Sequence, residues 1–558
     1  MAQAATKGQT FRKVIGAAVA TTGAGGLAYY YQADQGTRRA MKAYQTFVPV
    51  VMHYRFVEAK HKLLGKDDKE WDALDELHAS RTVEKLGELQ GMYCKYGQTA
   101  AGFNNTFGEA WIREFRKLEN AVPPRPVEIV YKTIEEETGK PVDETFEYFD
   151  PVPVGSASIG QVHKAILKGT KEEVAVKVQY PEAQQLFHGD IRTIRTFCEA
   201  FAPENVIIMN AMEEQHKVEL DYRQEAENLK EIRRNMQKHG FSPSQVVVPR
   251  PISELSTKRM LVMELLPGPK LIDGIQEYYS EWAKKNGTTL QELETKARAK
   301  IEKDGIPAKY DGPSAWQMTL YSKYLKTRDF LVNTSIATYN GTVGRLKQPL
   351  AYQQSSIPPN TPRILDTLMR VHGYQLLHDG VFNSDPHGGN FILLPDGRLG
   401  FIDYGATKRM TKQERMSTCL LYAAIYRKDK ERLFQLCEIG GYKSKHGDRD
   451  VIMKLIEFGY NSWGNDVTGG KNIQQFIDEM KEKDPWEEVP DNFVMAQFMS
   501  TRLRSLALGM NHPIRCAEWF GPIALEALEK EGLPYDDWTY ELMVENKPVF
   551  NMQKYKFG

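Results

Sequence analysis

The sequence predicts an α+β protein with two lobes, because helical and strand-like periodicities occupy different parts of the chain. Apolar residues recur every three to four positions within residues 40–145, whereas residues 146–178 follow the two-residue period of strands around a turn. The Pro- and Gly-containing stretch 265–269 cannot prolong a strand and indicates a crossing into a second, mainly helical part. At 558 residues the chain also exceeds the usual size of a single hydrophobic core.

These changes of pattern divide the chain into five segments. We predict a targeting segment with a candidate membrane helix at 1–45, a helical extension at 46–145, a small lobe at 146–267, a large lobe at 268–545 and a tail at 546–558. An insertion at about 271–362 in the large lobe has no assignable pattern. Its aromatic residues favour an additional hydrophobic core over a lipid-facing surface; they are Trp282, Trp316, Tyr321, Tyr324 and Phe330.

The amino terminus differs in charge from the rest of the chain. Lys plus Arg and Asp plus Glu both total 73, which argues against a generally basic nucleic-acid binder. Three basic residues nevertheless precede the first acidic one, Asp34, as in organelle-targeting segments. Residues 14–31 are uncharged and about as long as the shortest membrane spans. We expect a single mitochondrial membrane span there, with a cleaved presequence or a buried helix as alternatives.

The segment 384–405 gives the strongest chemical signal. Asp385 is followed five residues later by Asn390, and a predicted hairpin with its turn at 395–397 leads to Asp403. In kinase-type phosphoryl transfer, such a first Asp positions the attacking group, while the Asn and the last Asp hold Mg²⁺ against the phosphates of ATP. Each aspartate alone is more often a turn residue. The three positions joined by a hairpin favour a catalytic site.

A lysine and a glutamate upstream complete this predicted site. Lys177 points to the same side of its strand as the small Ala175, where it can reach the α and β phosphates of a nucleotide. Glu225, on a predicted helix, can pair with this lysine and orient it. A lysine in a valine-rich strand is usually solvent-facing, and acidic residues on a helix usually line a solvated face. Both assignments therefore depend on the order of the motifs.

The loop before the lysine strand is a candidate phosphate-binding loop. Backbone amides and hydroxyls of this loop can contact phosphate, in the run Gly155, Ser156, Ala157 and Ser158. A polar hairpin turn is the alternative interpretation. We also place Gln161 and Glu264 among the nucleotide-binding residues.

Together these motifs resemble the UbiB family, also called aarF-domain-containing kinases, over roughly residues 80–520. The pieces that match are KYGQ at 95–98, the loop at 153–165, VAVKVQYP around Lys177, ELDYRQEAEN at 219–228, SDPHGGN and FIDYG. The mitochondrial subgroup of aarF-domain-containing kinase one is the most similar in appearance. The resemblance implies a bilobal protein-kinase-like fold with an N-terminal helical extension, binding of ATP and Mg²⁺, and ATPase or unorthodox kinase activity that supports coenzyme Q or mitochondrial lipid metabolism.

The resemblance also implies a gating element over the nucleotide site. Its residues would be Lys95, Gly97 and Gln98, anchored by charge pairing with Glu219 and Asp221. A helix-packing face of small residues with a lysine at its edge is the alternative. As partners we expect a membrane lipid or quinone-like molecule, with membrane association, no nucleic acid, and a homodimer left open. The expected location is the mitochondrial inner membrane, with a plastid membrane as the alternative.

Two departures from the family and from ordinary kinases limit the predicted function. Gly155 and Ser156 stand where two alanines are common in the family, so nucleotide preference is less safely transferred. No Ala-Pro-Glu element follows Gly405, which ranks protein phosphorylation below ATP hydrolysis or phosphorylation of a small or lipid-like molecule. Two alternatives stay open: a nucleotide-regulated lipid-binding scaffold with little turnover, and a small-molecule phosphotransferase. The Lys-x-Gly-Gln element disfavours the second.

Overall fold

The computed structural model describes most of the chain after the amino terminus. The described residues are 33–64, 68–101, 108–120, 124–156, 159–201, 213, 219–310, 312–343, 348–353, 355, 357–471, 473–488 and 491–547. The candidate membrane helix at 14–31 lies outside them. None of the described helices combines the length and apolar character that a bilayer crossing requires.

Helices dominate the described chain, and we number them in order. The first eight are α1 (Gln35–Leu64), α2 (Asp68–Leu89), α3 (Gly91–Ala101), α4 (Glu109–Asn120), α5 (Val127–Thr138), α6 (Val142–Thr145), α7 (Ala183–Phe201) and α8 (Tyr222–Lys238). The next four are α9 (Leu271–Lys285), α10 (Leu290–Asp304), α11 (Ala315–Gly341) and α12 (Thr361–Tyr374). The last eight are α13 (Lys412–Arg427), α14 (Lys430–Gly440), α15 (Arg449–Ile456), α16 (Asn465–Thr468), α17 (Ile473–Lys483), α18 (Asp491–Gly509), α19 (Ala517–Lys530) and α20 (Tyr540–Glu545).

The strands of the described residues form one five-stranded sheet and three smaller sheets. The strands are β1 (Phe146–Phe149), β2 (Gly155–Ser156), β3 (Gly160–Leu167), β4 (Glu173–Gln179), β5 (Val246–Val247), β6 (Met260–Glu264), β7 (Val381–Asn383), β8 (Phe391–Leu393), β9 (Leu399–Phe401), β10 (Thr407–Arg409), β11 (Lys443–Ser444) and β12 (Trp486–Glu488). The large sheet has the antiparallel order β1-β3-β4-β6, with β2 added to β3. The smaller sheets are β5-β9-β8, β7-β10 and β11-β12. The predicted α+β class is confirmed.

Strand β4 separates two hydrophobic clusters. Val174, Val176 and Val178 on one side are buried in a cluster that includes residues of α5. On the other side, Ala175 belongs to the main core, which continues through α8 into the helices of the large lobe. Because successive side chains of a strand point to opposite faces, Lys177 lies on the side of Ala175, toward the large lobe.

Residues 86–96, within the predicted helical extension, are divided between two helices. Gln90 and Gly91 adopt left-handed backbone angles, with φ of 53° and 56°, and they separate α2 from α3. α3 then packs against α4 and α7. Gly97 makes the contact with α4 close, since a Cβ atom there would lie 2.4 Å from Cδ1 of Leu118.

The prediction of an additional hydrophobic core in the 271–362 insertion is wrong. The insertion consists mainly of α9, α10 and α11, and its large aromatic side chains point to solvent. The exposed fractions are 43% for Trp282, 64% for Trp316, 44% for Tyr321, 59% for Tyr324 and 70% for Phe330. The error has a physical cause: a list of aromatic residues does not reveal whether a second layer exists to cover them.

Candidate functional site

One lysine and two carboxylates that are distant in sequence meet at one site of the fold. The Lys177 ammonium donates to both carboxylate oxygens of Glu225 at 3.0 and 2.9 Å. It also donates to Oδ2 of Asp403 at 3.1 Å, across 226 positions of sequence. Lys177 comes from β4, Glu225 from the first turn of α8, and Asp403 from the residues after β9. We call this site, together with Asp385 and Asn390, the Lys177 cleft.

The charges of the Lys177 cleft depend on one another. Burial opposes the lysine charge, but Asp403 and Glu225 outweigh it and raise the pKa of Lys177 well above its ordinary value. Burial raises the pKa of Glu225 to about 7 despite the lysine. For Asp403 the effect of burial is exceeded by Lys177 and by the Gly405 N–H, 3.0 Å from Oδ1, and its pKa is held below the usual range. Removing the lysine would therefore leave Glu225 without its paired cation and Asp403 without its nearest one.

The β8–β9 hairpin and the β7–β10 strand pair bring together the backbone around Asp385, Asn390 and Asp403. Strands β8 and β9 pair Phe391 with Phe401, and the Ile402 N–H donates to the Asn390 carbonyl at 3.0 Å, so Asn390 lies beside the residue preceding Asp403. Strands β7 and β10 bring the chain before Asp385 against the chain after Asp403, and the Asn383 side chain donates to the Asp403 carbonyl at 2.9 Å. The β8–β9 hairpin, which the sequence predicts, thus helps to align these three residues together with the β7–β10 pair.

Arg502 on α18 is a residue of the cleft that sequence reasoning missed. Its Nε lies 3.2 Å from Oδ1 of Asp385, although that oxygen has no aligned hydrogen-bond donor among the described residues. Burial would raise the pKa of Asp385, but Arg502 and His387 hold it below its usual value. The available signal was an arginine within an apolar helical run, which is seldom buried unless it is paired.

Lys95 of the predicted gating element reaches the cleft from α3. Its ammonium lies 3.2 Å from Oε2 of Glu219. Burial opposes its charge, but Glu219, Asp385 and Asp403 together raise the pKa of Lys95. Gly405 lies beside both glutamates, since a Cβ atom there would be in ordinary van der Waals contact, 3.4 Å from Glu225 Oε2 and 3.6 Å from Glu219 Cγ.

Asp221 does not pair with Lys95, contrary to the sequence prediction. It precedes α8 and caps it, accepting from the Arg223 N–H at 3.1 Å, and its carboxylate also pairs with the Arg223 guanidinium at 2.6 Å. Glu219 also lies before the helix. An N-terminal cap was the available alternative, because Asp is a preferred capping residue. The side chain of Gln98 lies outside the described residues.

The predicted nucleotide-binding residues differ in their surroundings. Gly155 and Ser156 form β2, and the Ser156 hydroxyl is 3.2 Å from the Tyr180 hydroxyl, whereas Ala157 and Ser158 lie outside the described residues. Ala175 is buried and pairs across the sheet with Met263.

Gln161 and Glu264 are occupied by protein contacts. Gln161 is fully buried, exchanges hydrogen bonds of 2.9 and 3.2 Å with the Arg125 backbone and accepts from Tyr180 at 3.0 Å, so it supports the loop rather than facing the cleft. The carboxylate of Glu264 accepts from the Arg250 N–H at 3.2 Å and lies 3.4 Å from Arg233.

The cleft offers the oxygen ligands that a Mg²⁺-nucleotide requires. Mg²⁺ prefers carboxylate and amide oxygens and keeps waters or phosphates as its remaining ligands. Asp403 retains a side chain that is 35% exposed, and Asn390 donates through Nδ2 to the Asp385 carbonyl at 2.9 Å, which leaves Oδ1 as an acceptor. Within the described part of the chain, no three His, Cys, Asp or Glu side chains are grouped to hold a metal. Asp403 and Asn390 could hold a cation together with phosphate oxygens and water.

Comparison with known proteins shows which family the chain resembles. The ABC1 atypical kinase-like domain matches residues 117–299 and 348–437. An aarF domain-containing protein kinase of Arabidopsis thaliana, named as chloroplastic, is 25% identical over 397 residues, which is 70% of this chain and 58% of that protein. The chloroplastic Arabidopsis thaliana protein named ACTIVITY OF BC1 COMPLEX KINASE 1 is 24% identical over 479 residues, 84% of this chain and 54% of that protein.

A vertebrate protein with the same domain name is similar to the chain over a shorter region. AarF domain-containing protein kinase 1 of Xenopus laevis is 28% identical over 257 residues, 44% of this chain and 48% of that protein. The chain thus spans about half the length of these curated relatives. The matched segments contain Lys177, Glu225, Asp385, Asn390 and Asp403. The chain belongs to the ABC1/aarF family of atypical kinase-like proteins, also called the UbiB family.

Proposed function

We propose that the Lys177 cleft binds Mg-ATP and hydrolyses or transfers its γ-phosphoryl group. The contact of Lys177 with both Glu225 and Asp403 is the observation that supports this proposal most directly. Lys177 would bind the nucleotide phosphates with Glu225 as its orienting partner, and Asn390 with Asp403 would hold Mg²⁺. Bound Mg²⁺ would neutralise charge on the phosphates. Asp385 would orient the attacking hydroxyl or water.

We propose a lipid or quinone-like small molecule as the acceptor rather than a protein. After Gly405 the chain passes directly through β10 into α13, whose amino-terminal turn is closed by the Thr411 and Glu414 side chains. This connection contains no Ala-Pro-Glu element with which ordinary kinases close a peptide-binding segment. Support of mitochondrial lipid or coenzyme Q metabolism at the inner membrane is the corresponding cellular role, with a plastid membrane as the alternative location.

Thermal unfolding of the full chain with Mg-ATP tests nucleotide binding. A ligand at about 100 times its Kd stabilises the folded state by roughly 2.7 kcal/mol, which raises the melting temperature by several degrees. Asp403→Asn should abolish this rise. Asp396→Asn is the matched control, since Asp396 is an exposed residue of the hairpin turn paired with Arg398. An equal rise in wild type and Asp403→Asn would contradict the proposal.

Turnover measurements test the catalytic role separately. Asp385→Asn should retain the Mg-ATP stabilisation while ATP hydrolysis falls by about 10²-fold or more. Hydrolysis should increase with lipid vesicles or a quinone-like phenol, whereas transfer to a protein acceptor should stay at background. Full hydrolysis by Asp385→Asn would remove the role assigned to that carboxylate.

A nucleotide-regulated scaffold is the second candidate function, and the position of Lys95 favours it. Its ammonium pairs with Glu219 and influences both Asp385 and Asp403, so it neutralises part of the charge that catalysis would use. Lys95→Met distinguishes the two functions. A change in ATP turnover supports an enzyme gated by Lys95, whereas background turnover with intact Mg-ATP stabilisation supports the scaffold.

A further inference from the structure

Helix α11 exposes a continuous apolar stripe. Trp316, Leu320, Tyr324 and Leu331, here called the outer face, are between 55% and 64% exposed. Their spacings of four, four and seven residues place them in one stripe of the helix, at about 100° per residue. The stripe is roughly 22 Å long at about 1.5 Å per residue. With the neighbouring exposed Tyr321 and Phe330, it forms an apolar patch of six large exposed side chains. Contiguous exposed apolar patches often mark sites of interaction with a protein or a membrane.

Hydrogen bonds on the opposite side fix the rotation of α11. The Asn340 side chain exchanges two hydrogen bonds with the backbone of Leu350, at 2.8 and 2.7 Å. The Asn333 side chain does the same with Gln353, at 2.8 and 2.6 Å. Asn333 and Asn340 lie nearly opposite the outer face on the helix. The helix therefore turns these polar side chains toward its own chain and its aromatic side chains toward solvent.

Apolar residues also occupy the covered side of α11. Leu325 is buried, and Val332 and Ile336 are half-buried. A helix that is apolar on several sides is normally covered on all of them. Within the described part of the chain only one side is covered. Residues 300–347 also separate the two segments that match the family domain, so α11 is an addition to that domain.

The charges of α11 favour a negatively charged partner. The helix contains Lys323, Lys326 and Arg328 against a single acidic residue, Asp329. Asp329 is occupied, because its carboxylate accepts from the Ser355 N–H at 2.6 Å. Lys323 and Lys326 are exposed. No exposed acidic side chain of α11 is available to pair with a basic partner.

We propose that the outer face of α11 rests on an anionic lipid bilayer, with the helix axis parallel to the membrane surface. Trp and Tyr side chains prefer the membrane interface, Leu side chains enter the acyl boundary, and Lys323, at the edge of the outer face, contacts anionic head groups. A second copy of the chain fits less well, because a twofold contact would bring the same basic face onto itself. The surface does not depend on nucleotide binding, so either proposal can fail without the other.

A fluorescent label on the outer face tests the position of the membrane. Tyr324→Cys and, as the control, the comparably exposed Leu77→Cys of α2 are labelled with an environment-sensitive dye in the full chain. Four native cysteines are buried and Cys198 is half-buried, so the unsubstituted protein provides the background. With vesicles of phosphatidylcholine and phosphatidylglycerol, the dye emission should shift to the blue at position 324 and not at position 77. Absence of a shift at position 324 overturns the proposal, even if the protein binds vesicles through another segment.

Vesicle sedimentation tests which side chains bind. The variant Trp316→Ser/Leu320→Ser/Tyr324→Ser/Leu331→Ser should reduce vesicle partitioning roughly ten-fold or more. The control variant substitutes four apolar residues of α1 and α2 that are at least as exposed, as Phe56→Ser/Leu63→Ser/Leu64→Ser/Leu77→Ser, and should partition like wild type. Lys323→Glu/Lys326→Glu should weaken binding only when phosphatidylglycerol is present.

Oligomeric state separates the bilayer from a second copy. Light scattering without lipid should give the same mass for wild type and the four-serine α11 variant. If instead wild type is a dimer and this variant is a monomer, a second copy covers the outer face and the bilayer proposal is wrong. Equal vesicle partitioning by wild type and this variant, with both folded, would overturn it as well.

Discussion

The Lys177 cleft and helix α11 place charged and apolar side chains in opposite surroundings. In the cleft, the ammonium of Lys177 is only 15% exposed and the carboxylate of Glu225 only 2%, and they stay there because each compensates the other. On α11, Trp316 and Tyr324 are more than half exposed, and no described residue covers them. A buried charge needs a partner inside the fold, whereas an exposed apolar stripe needs one outside it. Substitutions in the Lys177 cleft should therefore change the free energy of unfolding. Substitutions on the outer face of α11 should instead change binding to a partner.

Removal of the lysine should produce the largest change in stability. Lys177→Met leaves Glu225 buried without a cation and Asp403 without its nearest positive charge. Breaking a buried ion pair on one side costs about 3–5 kcal/mol. Urea denaturation of the full chain should show this loss in the free energy of unfolding. The double variant Lys177→Met/Glu225→Met should recover part of this loss, because the most deeply buried unpaired charge is then removed, whereas Asp403, with a side chain that is 35% exposed, keeps contact with water.

A surface lysine provides the comparison for that experiment. Lys85 pairs with Glu88 on the exposed side of α2, with side chains that are 37% and 55% exposed. Exposed pairs of this kind contribute little to stability, so Lys85→Met should leave the urea midpoint nearly unchanged. Equal losses from the two lysine substitutions would show that the charges of the cleft are not coupled as their distances indicate.

Arg502 should have the next largest effect, and its signature is a change in pH dependence. Arg502 holds the pKa of Asp385 below its usual value, so the charged carboxylate contributes stability above the unfolded pKa, and this stability is lost as pH falls through the folded pKa. Arg502→Gln leaves the buried carboxylate less compensated and should cost about 1–3 kcal/mol near neutral pH. In a pH profile of ATP turnover, the fall in turnover on the acidic side should occur at a higher pH in Arg502→Gln than in wild type.

The conservative variant separates an electrostatic role of Arg502 from a packing role. Arg502→Lys keeps the positive charge and should restore much of the ATP turnover at acidic pH, although its hydrogen-bond geometry differs. If Arg502→Gln and Arg502→Lys lower turnover equally at every pH, the arginine acts through packing of α18 alone.

The order of the sequence motifs predicts which residues meet in the Lys177 cleft. It predicts less well how the surrounding helices pack. The alternation of β4 is sufficient to place Lys177 on the side of Ala175, and the turn before Asp403 is sufficient to predict the β8–β9 hairpin. The α+β class and the family follow from the same segments. Local periods and turns constrain these features directly, so few alternative arrangements remain.

Features that depend on contacts between distant segments were not predictable in this way. Arg502 lies 117 residues after Asp385 in a helix whose sequence gives no sign of its partner. Asp221 has two partners that suit a carboxylate, an α-helix terminus or Lys95, and the choice depends on where the chain enters α8. The exposure of Trp316 depends on whether another segment packs over α11, which composition does not specify.

Packing between α3 and α4 should have a smaller effect on stability. Substitution of Gly97 in α3 should destabilise the protein, whereas substitution of Gly189 in α7 should stabilise it. Gly97→Ala puts a Cβ atom 2.4 Å from the buried Leu118 side chain, so the cost of overpacking should exceed the gain in helix propensity by about 1 kcal/mol. Gly189 in α7 has no atom within 4 Å of such a Cβ atom, and Gly189→Ala should stabilise the protein by about 0.5–1 kcal/mol. Thermal unfolding of the two variants measures both signs, and stabilisation by Gly97→Ala would contradict the close contact of α3 with α4.

The smallest change in stability should come from the outer face of α11, although its side chains are among the largest in the chain. Trp316, Leu320, Tyr324 and Leu331 already contact water in the folded protein, so replacing them by serine removes little buried apolar surface. Without lipid, the four-serine variant should unfold within about 0.5 kcal/mol of wild type and keep its Mg-ATP stabilisation. A loss of several kcal/mol, measured by urea denaturation without lipid, would mean that another part of the chain covers this face in solution. The contrast with Lys177→Met would then disappear, because both regions would depend on intramolecular partners.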